Sequence, residues 1–407
     1  MTRYRAEWLL PIADDPIRDG WVEVDRGRIT ATGRGVAPDA IDLGNAVILP
    51  ALVNAHTHLE LSYLRGAVPP AGRFLDWIRP LLAARSGYSD PADRRILDQA
   101  RRAIGESRAS GTGLVGDVSN TLVTVPLLRE AGMASLVFYE LLGFNVTNGV
   151  GRVWDARAKI AEHGGTDSDV RIALAPHAPY SVSPELFQAI RADIDADSEH
   201  VSTVHLGESA EELEFVRRGA GPWRDLLEEL GTWNDGWSPH GGSPVEYLAD
   251  LGFLDGRVLA VHAVQLTGDD LARLRSLGTT VVSCPRSNRH VGVGSPPLES
   301  FYARGVSVAF GTDSLASVDS LNLFDELAEA RRIAPDVPAA HLLESATMCG
   351  AQALGFGKDY GTIEPGKRAA LIAVRLPGRL NDVEEYLVGG VAPDQVSWLE
   401  AVDMRHA

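Results

Sequence analysis

Ala46-Val47-Ile48-Leu49-Pro50-Ala51-Leu52-Val53-Asn54-Ala55-His56-Thr57-His58 is an apolar run that stops on two histidines. Residues two apart on an extended strand point to the same face, so His56 and His58 present two imidazoles side by side. Neutral imidazole is a borderline ligand suited to zinc and its neighbours, and such a pair can share one metal ion. The simpler alternative is two unrelated histidines on a polar strand face. The rest of the chain decides between them.

The same arrangement recurs down the sequence: an apolar run ends in polar residues and a helical stretch follows. The runs are Val47 to Ala55, Gly113 to Asp117, Ala134 to Leu142, Val170 to Ala175, Val201 to Leu206, Val258 to Val264, Thr279 to Ser283 and Val306 to Phe310. Helix-like segments such as Ala92 to Arg108, Pro184 to Ala192, Leu266 to Leu277 and Leu321 to Arg332 lie between them. Buried parallel strands read as continuous apolar runs, and strands alternating with helices imply a parallel sheet. Eight such units predict an α/β fold, a (β/α)8 TIM-like barrel, with an open doubly wound sheet as the alternative. No Gly-x-Gly-x-x-Gly follows a first strand, which argues against a dinucleotide site.

Both ends of the chain read as short strands and turns. Gly20-Trp21-Val22-Glu23-Val24-Asp25 alternates at period two, and Ala369 to Val374 is strand-like. The expected organisation is a small β-sandwich domain built from both termini, 1–48 plus 360–407, around a catalytic barrel at 49–359. One connection, Ser209 to Arg257, is unusually long. It carries two helical stretches (Glu211 to Arg218, Trp223 to Leu230) and a Trp/Gly/Pro-rich loop. Long loops at a barrel's active face serve as lids or substrate walls, or this one simply packs on the rim.

A chain of 407 residues can bury a large core. Its net charge of −17 argues against a nucleic-acid surface and against an anionic membrane, while leaving room for an anionic small molecule held by local arginines. Cys284 and Cys349 have neither metal-like nor disulfide-like spacing, which fits a reducing cytosol. The apolar run near Met1 is too short for a signal peptide, and no stretch reaches the ~18 apolar residues of a membrane span. The expectation is a soluble cytoplasmic protein acting on a small molecule, with no nucleic-acid or membrane partner.

Active residues of a barrel sit at the C-terminal ends of its strands. Here those ends carry His56 and His58, then Pro176-His177-Ala178-Pro179-Tyr180, His205-Leu206-Gly207-Glu208, His262, Cys284-Pro285-Arg286-Ser287-Asn288 and Gly311-Thr312-Asp313-Ser314. Five of the eleven histidines fall there. One buried histidine is usually packing; five converging on one mouth are not explained that way.

This constellation resembles the amidohydrolase superfamily, in particular its mononuclear metal-dependent deaminases. The resemblance covers nearly the whole chain, including the Gly361-Thr362-Ile363-Glu364-Pro365-Gly366-Lys367 approach to the late strands. It implies metal ligands at His56, His58, His205 and Asp313, and His262 as a substrate-facing base. Glu208 would be the proton shuttle of a His-x-x-Glu motif. Ala370 departs from the pattern, standing where an Asp commonly follows Ala. Binuclear members need a carboxylated lysine on a middle strand. The three lysines here, Lys159, Lys358 and Lys367, do not end one, so one divalent ion per chain is expected, Zn2+ first and Fe2+ or Mn2+ next. Enzymes of this kind are often homodimers.

Elementary chemistry agrees with these roles. Three imidazoles and a carboxylate leave a position open for water, the form of a catalytic site, and a bound divalent ion lowers that water's pKa toward ~7. Asp313 can accept the water's proton, and Glu208 can protonate a ring nitrogen and later the leaving amine. The other zinc deaminase design, His-x-Glu with Pro-Cys-x-x-Cys, is absent.

His56-Thr57-His58-Leu59-Glu60-Leu61-Ser62 looks like members that deaminate 6-aminodeoxyfutalosine, an adenine nucleoside of menaquinone biosynthesis carrying a benzoate. Related enzymes act on S-adenosylhomocysteine, methylthioadenosine or adenosine, and others on the scaffold hydrolyse cyclic amides or chloro-heterocycles. Substrate-face candidates are Glu60, His177 and Arg286. A benzoate needs a cation, because a buried unpaired carboxylate is costly. Arg286 is the first choice among Arg65, Arg73, Arg79, Arg286 and Arg289, and Arg73 the second.

Overall fold

A computed structural model describes residues 1–164 and 169–399. Its centre is a ring of eight parallel strands: β1 (Leu52–Thr57), β2 (Thr112–Ser119), β3 (Ala134–Leu141), β4 (Val170–Pro176), β5 (Ser202–Leu206), β6 (Val258–His262), β7 (Thr280–Ser283) and β8 (Val308–Phe310). β1 to β4 form one hydrogen-bonded sheet in sequence order, and β5 to β8 form a second. Side-chain and backbone bonds join the two sheets at both edges. At one seam the His205 amide donates to the His177 carbonyl at 2.9 Å and the Ser202 hydroxyl to the Leu174 carbonyl at 2.8 Å. At the other, the Thr312 and Asp313 amides both donate to the His56 carbonyl, and the Thr57 hydroxyl donates to the Asp313 carbonyl at 3.0 Å. Gly311 is required there: a Cβ would lie 2.7 Å from the His56 carbonyl oxygen.

The fold is thus the expected (β/α)8 barrel, and the strand runs explain why it was legible. All residues of β1, β2 and β3 are buried, as parallel strands covered on both faces must be. Seven of the eight runs fall on barrel strands within two residues. The first does not lie on one strand. It breaks between Pro50 and Ala51, and its front half, Ala46–Pro50, pairs antiparallel with Leu371–Arg375 in a sheet of the terminal region. Hydropathy alone could not show this, because both halves are wholly buried.

That terminal region is a sandwich of two sheets. One is ordered Arg28–Arg34, Gly20–Asp25, Thr2–Arg5, Ile41–Asp42; the other Val396–Trp398, Leu371–Arg375, Ala46–Pro50, Trp8–Leu9, Ile17–Arg18. Tyr4, Leu9, Val22, Val24, Ile29, Ile48 and Leu371 fill the space between them. Residues 400–407, expected to end this region, lie outside the described residues. No helix among the described residues is long and apolar enough to cross a membrane.

Three helices matter for the site. α1 (Phe74–Ser86) follows β1, while α2 (Ala210–Arg218) and α3 (Pro222–Glu229) belong to the long connection after β5. That connection is a wall rather than a loose decoration. Trp223 of α3 stacks on Tyr180 with ring centroids 3.7 Å apart, Trp233 stacks on Phe144 at 5.5 Å, and Trp237 on Phe215 at 5.0 Å. Offset aromatic pairs of this kind add to the apolar area they bury, so the insertion is fixed against the loops that follow β3 and β4.

Candidate active site

The ends of β1, β5, β6 and β8 bring His56, His58, His205, His262 and Asp313 together. The ligand nitrogens of His56, His58 and His205 lie within 4.8 Å of one another. Asp313 Oδ1 is 3.5 Å from His58 Nε2 and 3.8 Å from His56 Nε2. Burial drives all these imidazoles toward the neutral form: His58 and His205 fall to about 3, and His56 sits well below its usual value, with neighbouring rings adding to the effect. Neutral nitrogen is the ligating form.

This donor set fits a divalent ion. Both ring nitrogens of His56 are buried without a hydrogen-bond partner, a cost that a protein seldom carries without compensation, and ligation would satisfy one of them. The His205 Nδ1–H is turned to the His177 carbonyl at 3.0 Å, which leaves Nε2 for a metal in the usual outer-shell arrangement. Asp313 Oδ2 accepts from the Ser287 hydroxyl at 2.6 Å and from Ser317 at 3.2 Å. Oδ1 is thereby left facing the histidines.

Glu208 sits at the turn that leaves β5. Gly207 makes this turn with φ +64°, and a side chain there would collide with Leu266 at 2.3 Å. The Gly207 and Glu208 amides donate to Glu212 at 2.9 and 3.0 Å, and Ser209 caps α2. The Glu208 carboxyl is buried, 3.6 Å from His262 Nε2. Burial first, then the charges of Asp313 and Glu212, hold its pKa well above the usual carboxylate range, which favours its protonated form. His262 Nδ1 bonds Asn288 Oδ1 at 2.8 Å, leaving Nε2 toward Glu208. His262, Ala263 and Asp313 all adopt left-handed backbone, with φ of 76°, 53° and 60°, a conformation costly for residues with a Cβ.

These groups share one cavity of about 380 Å³. His177 lines it as expected. Its Nδ1 shares a hydrogen bond with the Ser181 hydroxyl at 2.6 Å, and burial lowers its pKa to about 4, so the ring is neutral. The opposite wall is apolar: Phe74, Trp77, Ile78 and Leu81 from α1 face Trp223, Leu226 and Leu227 from α3.

Two expected substrate contacts are not there. Glu60 does not line the cavity. It is buried in a 3-10 turn, Leu59–Leu64, and accepts from Ser119, Thr121 and the Asn120 amide at 2.6 to 3.0 Å. It organises the loop after β2. Arg286 lines a separate cavity with Arg65 and Arg289. Its guanidinium is held by Asp319, the Ser320 carbonyl at 3.1 Å and the buried Glu326 at 3.5 Å, in that other cavity. Arg73, the second choice, is likewise not among the residues lining the site. The arginine that does line it is Arg85, near the end of α1, and it was not foreseen. Nor was Glu140, at the end of β3, which shares the cavity and lies 3.7 Å from His205 Nδ1. Its signal was present: a carboxylate at the end of an apolar strand run.

A strand-end cluster of three histidines and an aspartate in an eight-stranded barrel could hold one divalent ion. The amidohydrolase family model matches residues 47–396, and the chain belongs to that family, as a hydrolase acting on carbon–nitrogen bonds. Among its relatives is the 5-methylthioadenosine/S-adenosylhomocysteine deaminase of Moorella thermoacetica, 31% identical over 93% of this chain and 88% of the relative. Another is the aminodeoxyfutalosine deaminase of Deinococcus radiodurans, 33% identical over 78% of this chain and 75% of the relative. A solved structure of an adenosine deaminase from Xanthomonas campestris with bound zinc superposes with a TM-score of 0.82 and 27% identity, over 97% of this chain and 90% of that one.

Proposed function

We propose that this protein is a zinc-dependent hydrolytic deaminase of adenine nucleosides that carry an extended 5′ substituent, with 6-aminodeoxyfutalosine as the first substrate. The observation that carries this reading is the placement of Glu208: a buried carboxylic acid beside His262, on the same cavity as the His56/His58/His205/Asp313 cluster. Addition of water to an amidine carbon calls for a proton on the neighbouring ring nitrogen as the C–O bond forms, the step a buried carboxylic acid can serve, whereas a cyclic-amide hydrolase delivers its proton to the ring nitrogen as the ring C–N bond breaks.

His56, His58, His205 and Asp313 would hold the ion, which supplies Lewis acidity and lowers the pKa of a water molecule at the site. Asp313, oriented by Ser287 and Ser317, accepts a proton from that water. Glu208 gives its proton to the ring nitrogen as the C–O bond forms at the amidine carbon. His262 Nε2 accepts a hydrogen bond from the attacking oxygen, its ring orientation fixed by Asn288. The proton taken from water then reaches the exocyclic amine, the C–N bond breaks and ammonia leaves, and the hydroxyl proton of the added oxygen returns to Glu208 as the carbonyl forms. The apolar wall between α1 and α3 suits an aromatic or thioether 5′ extension.

A second reading, methylthioadenosine as substrate, is favoured by Arg286 lying in another cavity, since a carboxylate on the 5′ substituent, in 6-aminodeoxyfutalosine or S-adenosylhomocysteine, loses that partner. Ammonia release from zinc-reconstituted protein, offered adenosine, 5′-methylthioadenosine, S-adenosylhomocysteine and 6-aminodeoxyfutalosine in parallel, separates the two. No release from any of the four would refute the deaminase reading.

A further inference from the structure

Outside the substrate cavity lies another of about 400 Å³, and among the described residues the two share no lining side chain. It is bounded by the loop after β8, the turn after β1 and a short helix, α4 (Pro285–His290). Arg286, Arg289 and His290 of α4 line it, since residues three and four apart share a helix face. Arg65 enters from the turn after β1. Three guanidiniums and an imidazole therefore meet on one cavity, in a chain whose net charge is −17.

The acids nearby do not cancel them. The carboxylate on the lining is Asp319, bonded to Arg286 and with its side chain 90% exposed. The other partners stand outside the lining: Glu106 for Arg65, Glu326 at 3.5 Å and Asp325 at 3.7 Å for Arg286, and Glu329 at 2.8 Å for Arg289. Glu329 is shared, because Arg332 also donates to it at 2.6 and 3.1 Å. One carboxylate thus serves two guanidiniums. A guanidinium carries five N–H donors, and among the described residues Arg289 gives only Nη1 to Glu329. These bonds aim the cations and leave donors unspent.

The rest of the lining is largely apolar, with Pro70, Leu315, Ala316 and Val318. A bare inorganic anion would answer the arginines and leave this surface uncovered. An apolar molecule would leave the charges unanswered, and a cation would be repelled. Apolar walls with a few placed polar groups are the usual make-up of a small-molecule site, and the guanidinium fork matches the paired oxygens of a carboxylate or phosphate.

We propose that this cavity is a second binding site, for a small organic anion. Its carboxylate or phosphate meets Arg289, Arg65 and Arg286, and its apolar body lies on Leu315 and Val318. The site is separate from the substrate cavity, so it stands or falls independently of the deaminase reading.

Calorimetric titration of zinc-loaded protein with benzoate, phenyl phosphate and sulfate, at matched ionic strength, tests this. Benzoate or phenyl phosphate should bind saturably and more tightly than sulfate, and whichever binds better tells carboxylate from phosphate. A hydrogen bond to a charged group corresponds to about ten- to hundredfold in affinity, so Arg289→Gln and Arg65→Gln should each weaken binding at least about tenfold. Both side chains are largely exposed, and an unchanged thermal midpoint confirms that each variant is folded. Arg85→Met, which removes the arginine of the substrate cavity, should bind the anion as wild type does. Sulfate binding as tightly as the organic anions would overturn the assignment of ligand class. Absence of saturable binding, or binding that survives both Arg289→Gln and Arg65→Gln, would overturn the site itself.

Discussion

The floor and the wall of this cavity are built by opposite means. The floor is polar, made at strand ends, and almost every atom in it is placed by a named bond: Asp313 by two serines, His205 by the His177 carbonyl, His262 by Asn288, Glu208 by its turn. The wall is apolar, made by α1 and by the insertion carrying α3, and is held by ring stacking. Leu82, Leu142 and Leu230 stand exposed at its rim, a patch that a bound ligand would cover. On the proposed reading, the strand ends carry the reaction and the helical wall meets what is attached to the reacting ring.

Substitutions on the two sides should therefore differ in kind. The largest effect is expected on the floor. Glu208→Gln should keep zinc and fold while turnover falls by about 10² to 10⁴, the range for a general acid–base group; near-normal ammonia release with full metal content would remove Glu208 from the chemistry. Because Glu208 must be protonated to act, wild-type activity should decline as pH rises through its elevated value.

Arg286→Ala comes next and tests a different boundary. It leaves the buried Glu326 without its guanidinium partner, and an unsatisfied buried polar group costs about 1 to 3 kcal/mol. Urea unfolding should show this loss while the ranking of nucleoside substrates stays as in wild type. A changed ranking would mean that Arg286 reaches the substrate after all.

On the wall, Leu82→Ala and Leu230→Ala should each raise KM several-fold for 5′-extended nucleosides, an effect of about 1 kcal/mol for lost apolar contact, and leave adenosine almost unchanged. Equal losses on both substrates would show that the rim supports the fold and does not grip the extension.

The smallest effect is a slope. Burial pushes Glu326 from its ordinary value up to about 8, although Arg286 opposes this. A raised folded pKa stabilises most fully below the unfolded value, and the contribution disappears as pH rises through the folded one. The thermal midpoint of wild type should fall more steeply between about pH 4.5 and 8 than that of Glu326→Gln. Parallel profiles would contradict the shift.

The floor was legible in sequence because strand ends are marked twice, by the apolar run and by the histidine or acid that closes it. The wall was not, since Trp77, Leu81, Trp223 and Leu226 on helices look like core. Glu60 and Arg286 misled for one reason. Each is charged and next to a strand end, but a residue's neighbours across the fold decide whether its charge is free, and here the donors at 119–121 and the acids at 319 and 326 had already claimed them. Glu140 was overlooked because its run was read for hydropathy and its end was not.

The left-handed backbone at His262, Ala263 and Asp313 has a consequence for anyone engineering this enzyme. At Ala263, Ala→Gly relieves the conformation at a residue with no part in the chemistry, so stability and turnover can improve together. At His262 and Asp313 the same relief erases the imidazole or the carboxylate. Laboratory evolution scored on heat resistance alone would be drawn toward all three positions and rewarded for disarming the enzyme at two of them.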